Sequence, residues 1–446
     1  MIQIELTTTD VERPLWLLVT RVLPGITLLC AVAISIGCSG GVNRPAGPNA
    51  SQTTTLVISK PIDHVDLKAR EPMIIEHPDG TLFVSGYGES TPMLWKSSDR
   101  GASWTQVNVG TESDGAVGNS DVDLAVARDG TLYFVTMFFD RKTNEGTQIS
   151  AGVSKDLGSS WSWTLLSKSR FDDRPWVEVS RDGTAHVIWN DGSGVSHAVT
   201  EDGGATWNER ARIHTQGGSS HLAVGPNREV AARITPLSAS GNKYDEGVDL
   251  VAVSSDGGLT WQKQAAPGQR EWSAMLDTKA SPPRWLEPKH PRWVEPLAWD
   301  DQGALYSLWT NREGLWLGQS VNQGATWTTW RVVESSDLLF FPYLIARGRG
   351  QLAGTWFSSG AETLQAHAAL FELRDGDTSP RVTESPAVQI DSWTSGKTPE
   401  DPPIRDAAGE YLALTFLKDG ALAMVSPIQN RRDNRFGFSF WRIEPH

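Results

Sequence analysis

The chain has little cysteine and no excess of positive charge. Its 446 residues include 2 cysteines, Cys30 and Cys38, and both lie in or beside one apolar stretch near the N-terminus. A disulfide framework in the globular part is therefore excluded. Lysine and arginine number 40 against 53 aspartate and glutamate residues, so the formal net charge is −13. Because a phosphate backbone needs a basic surface, this balance argues against a nucleic-acid partner.

Motifs for metal or phosphate chemistry are also missing. No histidine pair has zinc-ligand spacing, no glycine-rich loop follows a strand and opens a helix, and Gly192-Ser193-Gly194 lacks the pattern of a nucleophile elbow. We therefore expect no cofactor and no metal, with a hard cation held by carboxylates as the alternative. Helical periodicity is missing as well. Short β-rich runs separated by Gly, Pro, Ser and Thr predict an all-β chain.

One octapeptide of the form Ser-x-Asp-x-Gly-x-Thr-Trp recurs along the chain. Its five copies are 97–104, 154–161, 200–207, 254–261 and 320–327, the last with Asn322 in place of Asp. Asp and Ser can bond nearby backbone N–H groups and Gly supplies positive φ, so each copy predicts a tight turn between strands. The tryptophans at the ends of the copies are 57, 46, 54 and 66 residues apart, which is typical of a repeat built from small sheets.

The octapeptide resembles the Asp box of sialidases and of the wider BNR-repeat family, whose members fold as β-propellers. The resemblance implies the fold and leaves the reaction open. A second recurring element, strand, Gly turn and strand, is found seven times, so we expect about seven four-stranded blades, with six as the alternative. The last unit, assigned to begin at Asp401-Pro402 with Tyr411 to Ala413 as its second strand, lacks a fourth strand. Residues 54–59 are predicted to supply that strand and close the ring.

The N-terminal 38 residues resemble a lipoprotein-type signal segment. An apolar run from Val22 ends at Ser35-Ile36-Gly37-Cys38, similar to a bacterial lipobox except for Ser35. We expect a lipid on Cys38, with an uncleaved signal anchor or a secretory signal as alternatives. Residues 39–54 then form a flexible tether, and 55–446 a monomeric propeller held at the bacterial cell envelope, facing the periplasm or exterior.

Polar residues begin the predicted inner strands, which in a propeller meet near the central axis on one face. We predict a ligand site from these starts and from tryptophans of the long insertion 262–294. The predicted ligand-binding residues are Glu71, Asp121, Asp123, Asp173, Arg174, His221, Arg292, Trp272, Trp285 and Trp293. The alternative is that the acids and arginines only satisfy one another.

The sialidase resemblance carries over to few catalytic positions. Arg70-Glu71-Pro72 is similar to the Arg-Ile-Pro motif whose arginine binds the substrate carboxylate, whereas the acid/base aspartate would fall near Tyr87. The nucleophile implied by the resemblance is Tyr343 or Tyr411, with Glu295 as a base for Tyr343. The predicted function is recognition of a glycan or another extracellular ligand without an intact catalytic set. The alternatives are an exo-α-sialidase-type glycosidase and a scaffold for envelope assembly.

Overall fold

The computed structural model describes residues 54–65, 69–88, 91–235, 249–268, 294–311, 313–359, 363–392, 410–430 and 435–446. Their strands form seven antiparallel sheets, one per blade. The leader, Cys38 and the tether up to residue 53 lie outside these ranges. Within them, the helical structure is a 3-10 turn at Glu112–Asp114, and no helix is long and apolar enough to cross a membrane.

Blades 1 to 3 follow one another along the chain, each running from the axis outwards. Blade 1 contains β3 (Arg70–Glu76), β4 (Leu82–Tyr87), β5 (Pro92–Ser97) and β6 (Thr105–Gln106). Blade 2 contains β7 (Ser120–Val126), β8 (Leu132–Asp140), β9 (Glu145–Ser154) and β10 (Ser162–Ser167). Blade 3 contains β11 (Asp172–Val179), β12 (Ala185–Asp191), β13 (Val195–Thr200) and β14 (Asn208–Glu209).

Blades 4 to 6 continue the ring. Blade 4 contains β15 (Gly218–Val224), β16 (Val230–Thr235), β17 (Leu250–Ser254) and β18 (Gln262–Ala265). Blade 5 contains β19 (Leu297–Trp299), β20 (Leu305–Asn311), β21 (Gly314–Ser320) and β22 (Thr328–Glu334). Blade 6 contains β23 (Leu338–Arg347), β24 (Gln351–Ser359) and β25 (Thr363–Glu372), whose outer edge pairs with both β26 (Arg381–Glu384) and β27 (Val388–Ser392).

Blade 7 is assembled from both ends of the described chain. It contains β28 (Leu414–Phe416), β29 (Leu422–Asn430) and β30 (Arg435–Pro445), and β30 pairs with β1 (Leu56–Ile58) and β2 (Ile62–Val65). Leu56 lies opposite Pro445 and Ile62 opposite Phe440. Seven blades and closure by an N-terminal strand are therefore confirmed.

The assignment of strands within unit seven was wrong by one strand. Tyr411 to Ala413 lead directly into the inner strand β28 instead of forming the second strand, and Leu417 to Ala421 make the hairpin that follows. Residues 401–409, which include the predicted Asp401 start, lie outside the described residues. The Asp419-Gly420 pair lies in this hairpin.

The octapeptides form the turns between the third and fourth strands of blades 1 to 5. In blade 4 the Asp256 carboxylate accepts bonds from Ser254 Oγ at 2.7 Å and from Thr260 N at 2.9 Å and Oγ1 at 2.7 Å. Gly258 has φ +83°, and a Cβ there would lie 2.2 Å from His197 of blade 3. The turn tryptophans pack on the preceding blade, as Trp104 does on Phe438 with ring centroids 5.2 Å apart. These contacts lock neighbouring blades together.

Candidate functional site

The inner strands all begin at the same end of the axis, so their first side chains converge there. We call this set the axial funnel: Arg70, Glu71, Tyr87, Asp121, Asp173, Arg174, Glu410 and Tyr411. Glu71 joins blades 1 and 7, because its carboxylate accepts bonds from Tyr87 Oη and from the Glu410 backbone N, each at 3.2 Å. Glu71 thus links strands that lie far apart in the chain.

Three backbone irregularities at this end share one geometry. Glu71, Arg174 and Phe341 each precede a proline and have φ of 46°, 50° and 48°. At each of them the inner strand is out of register with its neighbour, by a bulge that places two residues against one. Left-handed backbone in residues other than glycine is strained by about 1–3 kcal/mol and is concentrated at functional sites. The bulges re-aim the side chains of Glu71 and Arg174 at the funnel.

An ion pair spans the funnel. Arg174 Nη2 of blade 3 lies 2.6 Å from Glu410 Oε2 of blade 7, and Arg174 Nε lies 3.7 Å from Asp173 Oδ2. Blades 3 and 7 are separated by two blades on one side and three on the other, so this pair crosses the axis. Burial alone would lower the pKa of Arg174, but the charge of Glu410, aided by Tyr411 and Asp173, raises it above its usual value. Arg174 is therefore a permanent cation already engaged by a carboxylate.

Asp173 and Asp121 form a carboxyl pair between blades 3 and 2. Burial first, and then the charge and hydrogen bond of Asp121, raise the pKa of Asp173 to about 7. The side chain of Asp173 is still 27% exposed, so its proton can exchange with solvent. At pH 7 Asp173 is therefore protonated in about half of the molecules, and in that form it can donate a proton or a hydrogen bond.

Aromatic rings connect the walls of the channel next to the funnel. Trp176 of blade 3 contacts Tyr411 of blade 7 edge-on, with centroids 5.2 Å apart, and His221 of blade 4 at 5.1 Å. His221 in turn meets Tyr343 of blade 6 at 5.7 Å. Burial lowers the pKa of His221 to about 3, and its Nδ1 accepts a bond from the Leu297 N–H at 3.3 Å. His221 is thus a neutral wall residue at physiological pH.

The carboxyl groups of Asp123 and Glu178 influence the pKa of Tyr343. Asp123 accepts backbone N–H bonds from Val177 at 2.9 Å and Leu124 at 2.8 Å, yet burial raises its pKa to about 7. Burial, and then the charge of Asp123, raise the pKa of Glu178 to about 8. The pKa of Tyr343 is raised well above its usual value by burial and by these two groups.

Glu295 belongs to a different, fully enclosed cluster. Arg233 Nε lies 2.8 Å from Glu295 Oε2, and the same guanidinium also pairs with Asp249. All three side chains are at most 1% exposed. The carboxylate that resemblance assigns as a base for Tyr343 is therefore engaged by Arg233.

The second candidate nucleophile, Tyr411, lies within the funnel. Its pKa is raised well above its usual value, chiefly by burial and then by Asp121, Glu410 and Glu71, while Arg174 opposes the shift. A phenol in this environment donates a hydrogen bond far more readily than it attacks carbon. Arg70, which the resemblance implies as a catalytic residue, lies opposite Tyr87 at the start of β3. Burial raises the pKa of the Tyr87 phenol well above its usual value, and the positive charge of Arg70 partly offsets this rise.

The structure brings many of the predicted site residues together and adds others. Arg70, Glu71, Asp121, Asp173, Arg174 and Tyr411 meet at the funnel, and Asp123, His221 and Tyr343 lie along the channel wall. Trp272, Trp285, Arg292 and Trp293 lie outside the described residues.

Sequence reasoning missed Tyr87 and Glu410 at the funnel, and Trp176 and Glu178 beside it. Glu410 could have been found, because it directly precedes Tyr411. Among the described residues, no group of three or more His, Cys, Asp or Glu is arranged to hold a metal ion.

Comparison with known proteins finds similarity to solved structures at low sequence identity. No protein-family model matches the chain, and no curated protein resembles it in sequence. Among solved structures, the chain is similar to Hadza microbial sialidase Hz136, with 14% identity over 66% of this chain and 63% of that one and a TM-score of 0.43. It is similar to a protein of unknown function from Dyadobacter fermentans (12% identity, 88% and 98% coverage, TM-score 0.45). It is also similar to NanB sialidase from Streptococcus pneumoniae (9% identity, 86% and 71% coverage, TM-score 0.43). The fold class is an all-β, seven-bladed propeller, and sialidases are among its structural neighbours.

Proposed function

We propose that the axial funnel binds a neutral or amine-bearing glycan. The observation that carries this proposal is the charge of the funnel, where four carboxyl groups face two arginines and one arginine, Arg174, is already paired with Glu410. The four carboxyl groups belong to Glu71, Asp121, Asp173 and Glu410. Carboxylates accept hydrogen bonds from sugar hydroxyls and attract ammonium groups, whereas they repel an anionic sugar at close range.

The same charge argues against sialic acid as the ligand. A substrate carboxylate would have to displace Glu410 from Arg174 and lie among the remaining acids. The formal net charge of −13 adds a weak long-range repulsion. The glycan is therefore expected to differ from the substrate that the sialidase resemblance implies.

The proposal includes attachment to the cell envelope through a lipid on Cys38. A tether of residues 39–54 would reach at most about 58 Å when extended. Loss of membrane association and of metabolic fatty-acid labelling in Cys38→Ser would support the anchor. Unchanged fractionation and labelling would remove this part of the proposal.

A glycan panel tests the ligand class. The whole protein is titrated with neutral, amino and sialylated oligosaccharides, and Glu71→Gln is compared with Glu76→Gln, at the opposite end of the same strand. We expect binding to neutral or amino sugars that falls at least tenfold in Glu71→Gln and is unchanged in Glu76→Gln. Preference for sialylated sugars, or equal effects of the two variants, would contradict the proposal.

A second candidate function is hydrolysis of a terminal sugar. The Asp121–Asp173 pair favours it, because Asp173 can hold a proton at neutral pH beside carboxylates that could stabilise a developing cation. Fluorogenic glycosides offered to the wild type, Asp173→Asn and Tyr411→Phe decide the matter. Turnover that falls about 100-fold in Asp173→Asn would establish a glycosidase. Binding without turnover would leave recognition as the function.

A further inference from the structure

The far end of the axis, opposite the funnel, contains a separate cavity of about 240 Å³. It is lined by the ends of inner strands and the hairpin turns that follow them in blades 2 to 6, including Arg128, Ser180, Arg181, Trp299 and Asp301. Arg181 is paired with Asp301 across this opening. The cavity is large enough for a small molecule.

A buried chain of three side chains begins at the cavity wall with Ser180. Ser180 Oγ lies 3.0 Å from His186 Nε2, and His186 Nδ1 lies 3.2 Å from His197 Nε2. These three residues are 5%, 1% and 0% exposed. If His186 Nε2 accepts the serine proton, its Nδ1 must carry hydrogen and donate to His197, so the two imidazoles are oriented as a relay.

The fold holds this relay in place from both sides. Ser180 is fixed in the β11–β12 hairpin, where its backbone N donates to Thr184 O at 2.8 Å. The rings of His186 and His197 are stacked with centroids 5.4 Å apart, and Trp261 from the blade 4 octapeptide packs edge-on against His197 at 5.6 Å. His197 Nδ1 is buried without a hydrogen-bond partner among the described residues. In the relay tautomer this Nδ1 carries hydrogen, so the chain of hydrogen bonds ends at His197.

We propose that Ser180 is a nucleophile, activated by His186 and His197, that cleaves small esters in the far-end cavity. A serine hydrogen-bonded to a histidine that a third group orients is the arrangement used for acyl transfer. Arg128 lines the same cavity and supplies positive charge for the oxyanion that forms, whereas Arg181 is engaged by Asp301. This activity is independent of the funnel.

The reaction is an ordinary two-step hydrolysis. Ser180 Oγ bonds to the ester carbonyl carbon while its proton passes to His186 Nε2. The ester C–O bond then breaks, and the His186 proton goes to the leaving alkoxide. Water next attacks the acyl-serine with His186 as base, which releases the acid and restores the serine.

The chain contains a matched control for this chemistry. Ser358 Oγ lies 2.7 Å from His367 Nε2, a shorter contact than the 3.0 Å of Ser180, and Ser358 is also buried at 2% exposure. However, His367 stacks on Trp356 at 5.2 Å where His186 meets a second histidine, and Ser358 does not line the far-end cavity. The pKa of both His186 and His367 is lowered to about 4, mainly by burial, so basicity does not distinguish the two pairs.

The environment of His186 gives the proposal a pH signature. The charge of Asp182 raises its pKa, but burial, Arg210 and Arg228 lower it to about 4, and His197 is likewise held neutral. His186 therefore stays an unprotonated base down to that pH. Acylation of Ser180 is expected to be constant between pH 5.5 and 8, where a histidine of pKa about 6.5 would lose most of its activity on the acid side.

The test is acylation of the whole protein with a fluorophosphonate probe and with p-nitrophenyl acetate, mapped by peptide mass spectrometry. We expect Ser180 to react at least tenfold faster than Ser358, and its rate to fall about 100-fold in His186→Asn, with circular dichroism confirming the fold. Ser180→Ala should abolish the label, and Ser180→Cys should restore nucleophilicity towards iodoacetamide. Equal rates at Ser180 and Ser358, or a Ser180 rate unchanged in His186→Asn, would overturn the proposal.

Discussion

The aspartates of the octapeptide turns and those of the axis are the same side chain in opposite environments. Bonds from Ser or Thr hydroxyls and backbone N–H groups lower the pKa of the turn residues Asp99, Asp156, Asp202 and Asp256 to about 2. At the axis, burial raises the pKa of Asp123 and Asp173 to about 7. A turn aspartate is satisfied by its own octapeptide, whereas a funnel carboxylate depends on other blades and on any ligand. Recurrence therefore marks the fold, and the unrepeated acids mark the candidate site.

The largest effect is expected from removing the cation of the funnel. Arg174→Met leaves Glu410 without its ion partner, and breaking a buried pair in this way destabilises by about 3–5 kcal/mol. Arg181→Met is the control, since the exposed Arg181–Asp301 pair contributes about 1 kcal/mol or less. Denaturant unfolding measures both variants. Equal losses in the free energy of unfolding would show that the funnel pair contributes no more to stability than the exposed pair does.

A turn aspartate should affect stability and leave recognition unchanged. Asp256→Ala removes bonds from Ser254, Leu259 and Thr260, so we expect a loss of about 1–3 kcal/mol. Glycan binding at the funnel should be unchanged under conditions where the variant is folded. Denaturant unfolding measures the stability, and a titration measures glycan binding by the folded variant. Weakened binding by folded Asp256→Ala would show that a turn aspartate also affects recognition at the funnel.

The pH dependence of stability should also differ between the two regions. The pKa of Glu178 rises on folding from an ordinary value of 4.5 to about 8. The folded state therefore favours the protonated form, and its contribution, fully present below pH 4.5, is lost as pH rises towards 8. Glu178→Gln should gain stability over the wild type by a few kcal/mol across this window. If wild type and Glu178→Gln differ in stability by the same amount at pH 5 and at pH 8, the raised pKa of Glu178 is contradicted.

The smallest effect is expected at the one octapeptide that lacks aspartate. Asn322 Oδ1 accepts bonds from Ser320 Oγ at 3.0 Å and Thr326 N at 2.9 Å, while its Nδ2 donates to Thr326 Oγ1 at 2.9 Å. In Asn322→Asp the threonine hydroxyl can reverse and donate to a charged acceptor, as in the other copies. A rise in Tm of about 1–2 °C is expected by calorimetry. A fall in Tm would show that charge is not what stabilises these turns.

The sequence allowed more of the fold than of the site to be predicted. An octapeptide makes its own hydrogen bonds within eight residues, so its turn can be recognised wherever it occurs. The closing strand could be predicted because the last of the seven units lacked a fourth strand. By contrast, Arg174 and Glu410 are 236 residues apart and meet only because the ring closes. Glu295 was predicted as a base for Tyr343 from the sialidase resemblance, and only the packing of β16 against β19 shows that Arg233 engages it.

In the proposed function, the axial carboxylates contact the ligand and the turn carboxylates do not. The most direct measurement is the affinity of the whole protein for its best neutral or amino sugar, compared between Asp173→Asn and Asp256→Asn by isothermal titration. We predict at least a tenfold loss in Asp173→Asn and no change in Asp256→Asn. Unchanged affinity in Asp173→Asn, or an equal loss in both variants, would contradict the account.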